Sequence, residues 1–247
     1  MFTDPPYFDN VQYAELMDFC FVWLRIGLTG DHVEFDADTT RHAEELTSNE
    51  TLARGLEHFT IGLSAVFCKY AAALKPGAPF VFTYHHNDAF AYLPIIVALL
   101  DSNLECTATV PAAGEMGASL HILGTGSSVL DTVFVCRPAS EKPFSPPLGL
   151  TGMLADNVDR MCSAGVRVSD GDLRCLIAGH LARFVVNDLR SQWSPNAGAA
   201  ERLSLARAGL SRYMEELDVP TIIATLLRRI GKGDLRPAGE GTVAASV

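Results

Sequence analysis

The chain has 247 residues, with 19 Lys and Arg against 29 Asp and Glu and a formal net charge of −10 at pH 7. Hydrophobic residues make up 48% and charged ones 19%, a globular composition that excludes wholesale disorder. No apolar run reaches the roughly 18–20 residues of a bilayer span, the first residues have neither a basic nor an apolar signal region, and the acidic balance argues against coating nucleic acid by bulk charge.

Met1-Phe2-Thr3 is a short apolar start, and residues 10–26 read as a helix. Its stretch Phe19–Leu24 (FCFVWL) is apolar nearly all round, which predicts deep burial. Thr47-Ser48-Asn49-Glu50 fits a T-x-x-E capping box. Leu52, Leu56, Phe59, Leu63, Val66, Phe67, Tyr70 and Leu74 follow at helical steps, and Lys75-Pro76-Gly77 ends that helix. Phe80–Tyr84 (FVFTY) reads as a buried strand. Asn87 or Asp88 can cap a helix running to about Leu100. Leu104–Val110 and Thr132–Arg137 read as two more strands, so the order predicts an α/β sheet with an antiparallel edge.

Pro138–Pro147 carries four prolines and reads as part of a linker over 138–149. Beyond it everything periodic is helical. Thr151–Cys162 is one candidate. A second starts near Asp170, with Leu173, Leu176, Ile177, Leu181, Phe184, Val185 and Leu189 as its stripe. Residues 199–217 and a short basic helix over 220–230 follow, the latter with Arg228 and Arg229 where the helix dipole favours cations. The division is therefore a strand-bearing region over 1–137, a helical region over 150–231 and a tail over 232–247 expected to be disordered.

The chemistry is concentrated at Asp4-Pro5-Pro6-Tyr7. Two prolines cannot continue a central strand, because each lacks the ladder N–H, so the strand breaks into a stiff turn. Asp4 supplies an acceptor-only carboxylate, the Pro5 carbonyl a second acceptor, and Pro6 shapes the turn. Together the acceptors suit an exocyclic amino group whose lone pair is turned toward an electrophile, and Tyr7 offers a face for a flipped-out base.

The run MFTDPPYFDN, extended through DPPYFDNVQYAELMDFCFVWLR and continued by LKPGAPFVFTYHH (Leu74–His86), Leu104–Glu115 and Leu130–Arg137, resembles the amino-methylating DNA methyltransferases that use S-adenosylmethionine. It is most similar to those identified as adenine-specific DNA methylases. The resemblance covers about residues 1–137. It implies a Rossmann-like methyltransferase sheet in which Asp4 and the Pro5 carbonyl bind the target amine and Tyr7 stacks on the base. Phe8, Asn10, Tyr13 and His85 are weaker candidates for lining the pocket. It further implies S-adenosylmethionine as cofactor and DNA as partner, with adenine N6 the expected target.

The family's Gly-rich cofactor loop ordinarily precedes DPPY, whereas three residues precede Asp4 here. Downstream, Leu123-Gly124-Thr125-Gly126 lies before a strand, and Ile230-Gly231-Lys232-Gly233 follows none. The chain thus reads as the C-terminal portion of a methyltransferase starting at motif IV, with no cofactor-binding residue assigned. Whether it is an enzyme stays open. The other class is a non-catalytic interaction module, or a split-enzyme half whose partner chain supplies the Gly-rich loop.

The remaining residues favour bland readings. His85 and His86 are adjacent on an extended chain and point to opposite faces, so no metal site is expected. Glu115 and Ser119 read as solvated loop. His180 reads as a partly buried core histidine. Arg183, Arg190, Arg202, Arg207 and Arg212, interspersed with Asp188, Glu201, Glu215 and Glu216, read as a solvated, salt-bridged face. The six cysteines form no C-x-x-C pair and read as reduced core thiols of a cytoplasmic protein without membrane association.

Overall fold

The computed structural model describes residues 1–8, 12–42, 44–49, 54–114, 128–140 and 149–232. Asn10, Glu50, Leu52, Glu115, Ser119, residues 123–126 and 141–148 and the tail from 233 lie outside the described residues. In chain order the elements are β1 (Phe2–Thr3), α1 (Tyr13–Leu28), α2 (Leu56–Ala73), β2 (Phe80–Tyr84), α3 (Leu93–Asp101), β3 (Leu104–Ala113), β4 (Leu130–Pro138), α4 (Leu150–Ser163), α5 (Asp170–Leu189), α6 (Ala199–Glu216) and α7 (Val219–Lys232). The protein is mixed α/β, built on an open four-stranded mixed sheet.

The sheet order is β1-β2-β4-β3. β1 runs parallel to β2, while β4 is antiparallel to both β2 and β3. The antiparallel strand is therefore not at the edge, as the sequence suggested, but one strand in. β3 and β4 form an antiparallel pair, and β4 inserts between β2 and β3. An edge strand cannot be told from an interior one by its own pattern when its partners are unknown.

Alternation places Phe80, Phe82 and Tyr84 of β2 on one face with Thr132, Phe134 and Cys136 of β4, all buried. Phe82 and Phe134 stack with centroids 4.8 Å apart, and Phe67 of α2 meets Phe80 and Phe82 edge-on. α3 is buried from Leu93 to Leu100, as an all-apolar helix must be, and α5 lies against it and across β3 and β4. Gly179 makes that approach possible, since a Cβ there would stand 2.6 Å from Thr132 Cγ2. The helices after residue 150 share one hydrophobic core with the sheet and with α2 and α3.

Several expectations need correction. Phe19, Val22, Trp23 and Leu24 are exposed rather than buried, Trp23 by 66%. Thr47 does not cap α2: it is buried, Asn49 bridges to Arg54, and the helix begins after Gly55. Arg183 is 4% exposed and donates to the carbonyls of Cys106 and Thr107, and Arg190 donates to the Leu104 carbonyl. These two arginines terminate strand carbonyls instead of facing solvent. Arg212 does lie in an exposed pair with Asp188. Cys106, Cys136 and Cys175 are buried, but Cys20 and Cys68 are exposed. Among the described residues no helix is long and apolar enough to cross a membrane.

Candidate functional site

Parallel pairing of Thr3 with Phe82 puts Asp4 beside Thr83, one step past the end of β1. The Thr83 hydroxyl donates to Asp4 Oδ1, and the Tyr7 hydroxyl donates to the same oxygen at 3.0 Å. Asp4 is exposed, and its Oδ2 takes no hydrogen bond from the described residues. Nor does any hydrogen bond from the described residues end on the carbonyls of Pro5 or Pro6. One carboxylate oxygen is thus fixed by two hydroxyls, while the other and the proline carbonyls remain acceptors.

The turn is held from both sides. Tyr7 N–H donates to the Tyr13 hydroxyl at 3.4 Å, and Phe8 N–H donates to the Tyr84 hydroxyl at 3.3 Å. Tyr84 in turn donates to the Ala91 carbonyl at 3.0 Å. Tyr7 is half-buried, its ring edge-on to Tyr84 at 5.3 Å and tilted against His85 at 6.4 Å. Burial, and then the carboxylates of Asp131 and Asp4, push the Tyr7 phenol up, so it stays a donor to Asp4. Burial likewise raises Tyr13.

His85 follows β2 at the same end of the sheet, where parallel strands of an α/β sheet present their ligand-binding edge. Its Nδ1 lies 2.9 Å from the Leu130 carbonyl, 3.5 Å from Asp131 Oδ1 and 4.0 Å from Cys175 Sγ. The Cys175 thiol, the Leu130 carbonyl and Asp131 raise its pKa to about 9 against the opposing effect of burial. The same contact, helped by Tyr92, lowers Cys175 against its own burial. Nδ1 donates to the Leu130 carbonyl, and the ring lies beside that of Tyr7.

Of the residues expected from sequence, the structure brings together Asp4, Tyr7, Tyr13 and His85, while Pro5 is buried in the turn between Asp4 and Tyr7. Phe8 serves packing: its ring meets Phe59 edge-on at 5.4 Å. Thr83, Tyr84, Asp131 and Cys175 were not anticipated. Strand alternation marks Thr83 and Asp131 as lying opposite the aromatic face, but only the strand register puts them next to Asp4 and His85. Among the described residues no three His, Cys, Asp or Glu side chains are grouped to hold a metal.

The resemblance implies S-adenosylmethionine, which the family holds on a Gly-rich link between strand and helix. The links from β1 to α1 and from β2 to α3 contain no glycine. The described residues at this edge therefore do not fit that cofactor, and no step is derived through it. No family model matches the chain, and neither the curated proteins nor the solved structures hold a match.

Proposed function

We propose that the turn after β1 is the amine-holding site of one part of a DNA amino-methyltransferase, adenine N6 being its target, on a sheet of Rossmann-like type, with the S-adenosylmethionine site supplied from outside the described residues. The single observation carrying this reading is the Asp4 carboxylate. Its Oδ1 is pinned by the Tyr7 and Thr83 hydroxyls, while its Oδ2 and the Pro5 carbonyl accept no hydrogen bond from the described residues. An amino group donating one hydrogen to each acceptor is held with its lone pair directed away from both. The Asp4 carboxylate also sets negative charge beside the nitrogen it would hold, which favours positive charge there. Tyr7, locked by its own hydrogen bonds, gives the base a fixed ring at no further cost in side-chain freedom.

The test is transfer of labelled methyl from S-adenosylmethionine to single-stranded and duplex DNA, using this chain and a longer form that carries a Gly-rich loop. Asp4→Ala is expected to lower turnover by at least about 100-fold, with the melting profile retained because the side chain is exposed. Transfer that survives Asp4→Ala, or is absent from both forms, overturns the reading. A second reading, an interaction module, is favoured by β1 itself. It is the terminal strand of the sheet and Phe2 is 68% exposed, an edge that a strand from a partner chain can extend.

A further inference from the structure

Helix α1 is built inside out. Its polar stripe faces the protein. Asp18 accepts from Thr40 N–H at 2.6 Å and from the Thr39 hydroxyl at 2.8 Å. Arg25 donates to the Phe35 carbonyl at 3.0 Å and pairs with Asp38 at 2.9 Å. Phe21, on the same side, stacks on Phe35. The apolar side faces out. At about 100° per residue, the arc from Val22 through Ile26, Phe19, Trp23 and Leu16 to Met17 spans roughly 220° of the helix. Phe19 is 73% and Ile26 77% exposed.

Glu15 is the one charged residue in that arc, and it pairs with Arg41 of its own chain at 3.5 Å. Taken at ordinary side-chain areas, the arc exposes on the order of 900 Å² of apolar surface. Monomers rarely leave more than a few hundred Å² of contiguous apolar surface uncovered.

The surroundings select the occupant. Glu15, Asp31, Glu34, Asp36 and Asp38, on α1 and in the segment that follows it, are all exposed, a local acidic excess that disfavours anionic lipid and nucleic acid alike. Leu16, Phe19, Trp23 and Ile26 recur at steps of three, four and three, the spacing of a two-helix seam. Those steps read the same in reverse. Two antiparallel copies therefore bring Leu16 against Ile26 and Phe19 against Trp23, twice each, about a twofold axis. A standard interface takes about 800 Å² from each partner, the same order as the exposed arc, of which the seam residues are the centre. We propose that this chain forms a symmetric dimer through the outward face of α1, paired antiparallel along Leu16, Phe19, Trp23 and Ile26. The proposal stands independently of the amine-site reading.

The test is sedimentation velocity of the full 247-residue chain. It should be a dimer across about 1–100 µM. Phe19→Glu and Trp23→Glu should each raise the dissociation constant by at least about 100-fold while leaving circular dichroism and cooperative melting intact. In a Cys20→Ser, Cys68→Ser background, Leu16→Cys mixed with Ile26→Cys should give a mixed disulfide. A chain that is monomeric throughout overturns the proposal, as does a dimer indifferent to both glutamates. So does self-crosslinking of Leu16→Cys alone, which reports a parallel pair. A monomer that binds phosphatidylcholine vesicles and loses binding in Trp23→Glu also overturns it, and makes lipid the occupant.

Discussion

Helices α1 and α5 make opposite use of their side chains. α5 carries Asp172, His180 and Arg183, residue types that prefer water, and buries all three to 4% exposure or less. α1 carries Phe19, Trp23 and Ile26 and leaves them outside. The difference lies in what each helix has to pack on. α5 lies over β3 and β4 and beside α3, and each of these three side chains meets partners there: Asp172 a set of N–H and hydroxyl donors, His180 the side chains of Thr109 and Asn157, Arg183 two strand carbonyls. Among the described residues α1 has chiefly the 33–45 segment, which matches its polar stripe. A layer with complementary partners draws polar side chains in, and an apolar side chain without a layer stays out.

The most direct way to break that contrast is to truncate one large ring on each side of it. Phe134 stacks on Phe82 at 4.8 Å and is fully buried. Phe134→Ala should cost about 3–5 kcal/mol, the transfer of a ring plus the cavity it leaves. Trp23→Ala, measured by urea unfolding of the monomer at high dilution, should change stability by no more than about 0.5 kcal/mol. Comparable losses at the two sites would mean that the outward face of α1 is packed in solution against its own chain.

The same contrast separates what the sequence discloses from what it hides. FVFTY, LECTATV and the strand before Arg137 were legible because alternating β-branched and aromatic residues fit only a pleated, buried environment. The stripe of α5 was legible for the corresponding helical reason. FCFVWL misled, since apolarity states that a surface favours cover and not that its own chain provides it. Thr47-x-x-Glu50 misled because a local capping pattern is a weak preference that tertiary packing overrides. The working cap of α5 used Ser169 and Asp172, a box closed by Asp instead of the usual Glu or Gln. At the candidate site, Asp4, Tyr7 and His85 were readable as residue types at strand ends. Thr83, Asp131 and Cys175 were not, because the β2–β4 register and the docking of α5 bring them there, and neither is encoded locally.

A second pair of changes sharpens the comparison at the helix starts. Asp172 Oδ1 accepts from Ser128 Oγ and Val129 N–H, each at 2.8 Å, and from Leu130 N–H at 3.2 Å, while Oδ2 accepts from Ser169 N–H and its hydroxyl. The carboxylate ties the start of β4 to the start of α5. Asp172→Ala strands buried donors and should cost about 2–4 kcal/mol, whereas Ser169→Ala, losing the cap alone, should cost about 1 kcal/mol. α1 has no side-chain cap at Gln12, so Gln12→Ala should fall below both in urea titration. Equal losses at Asp172 and Ser169 would show the strand-side bonds to be worth nothing.

A third comparison lies in pH dependence, where the buried His180 and the half-buried His85 pull in opposite directions. Asn157 donates its amide to His180 Nε2 at 2.9 Å, so the neutral ring carries its proton on Nδ1 and donates it to Thr109 at 2.8 Å. Burial, with Arg183 nearby, lowers its pKa to about 4. The unfolded chain, at about 6.5, then binds a proton that the folded chain refuses. His180 stabilises above that value, and the contribution is lost progressively as pH falls from 6.5 to about 4, by at most about 2 kcal/mol at about pH 5. His85 is raised to about 9 by Cys175, Leu130 and Asp131. Its contribution is complete below about pH 6.5 and is lost as pH rises through about 9. Urea midpoints taken across this range should therefore fall on both sides of neutrality, with His180→Gln flattening the acid limb alone and His85→Gln the alkaline limb alone. An acid limb untouched by His180→Gln would place the titrating group elsewhere and remove this histidine from the account of the core.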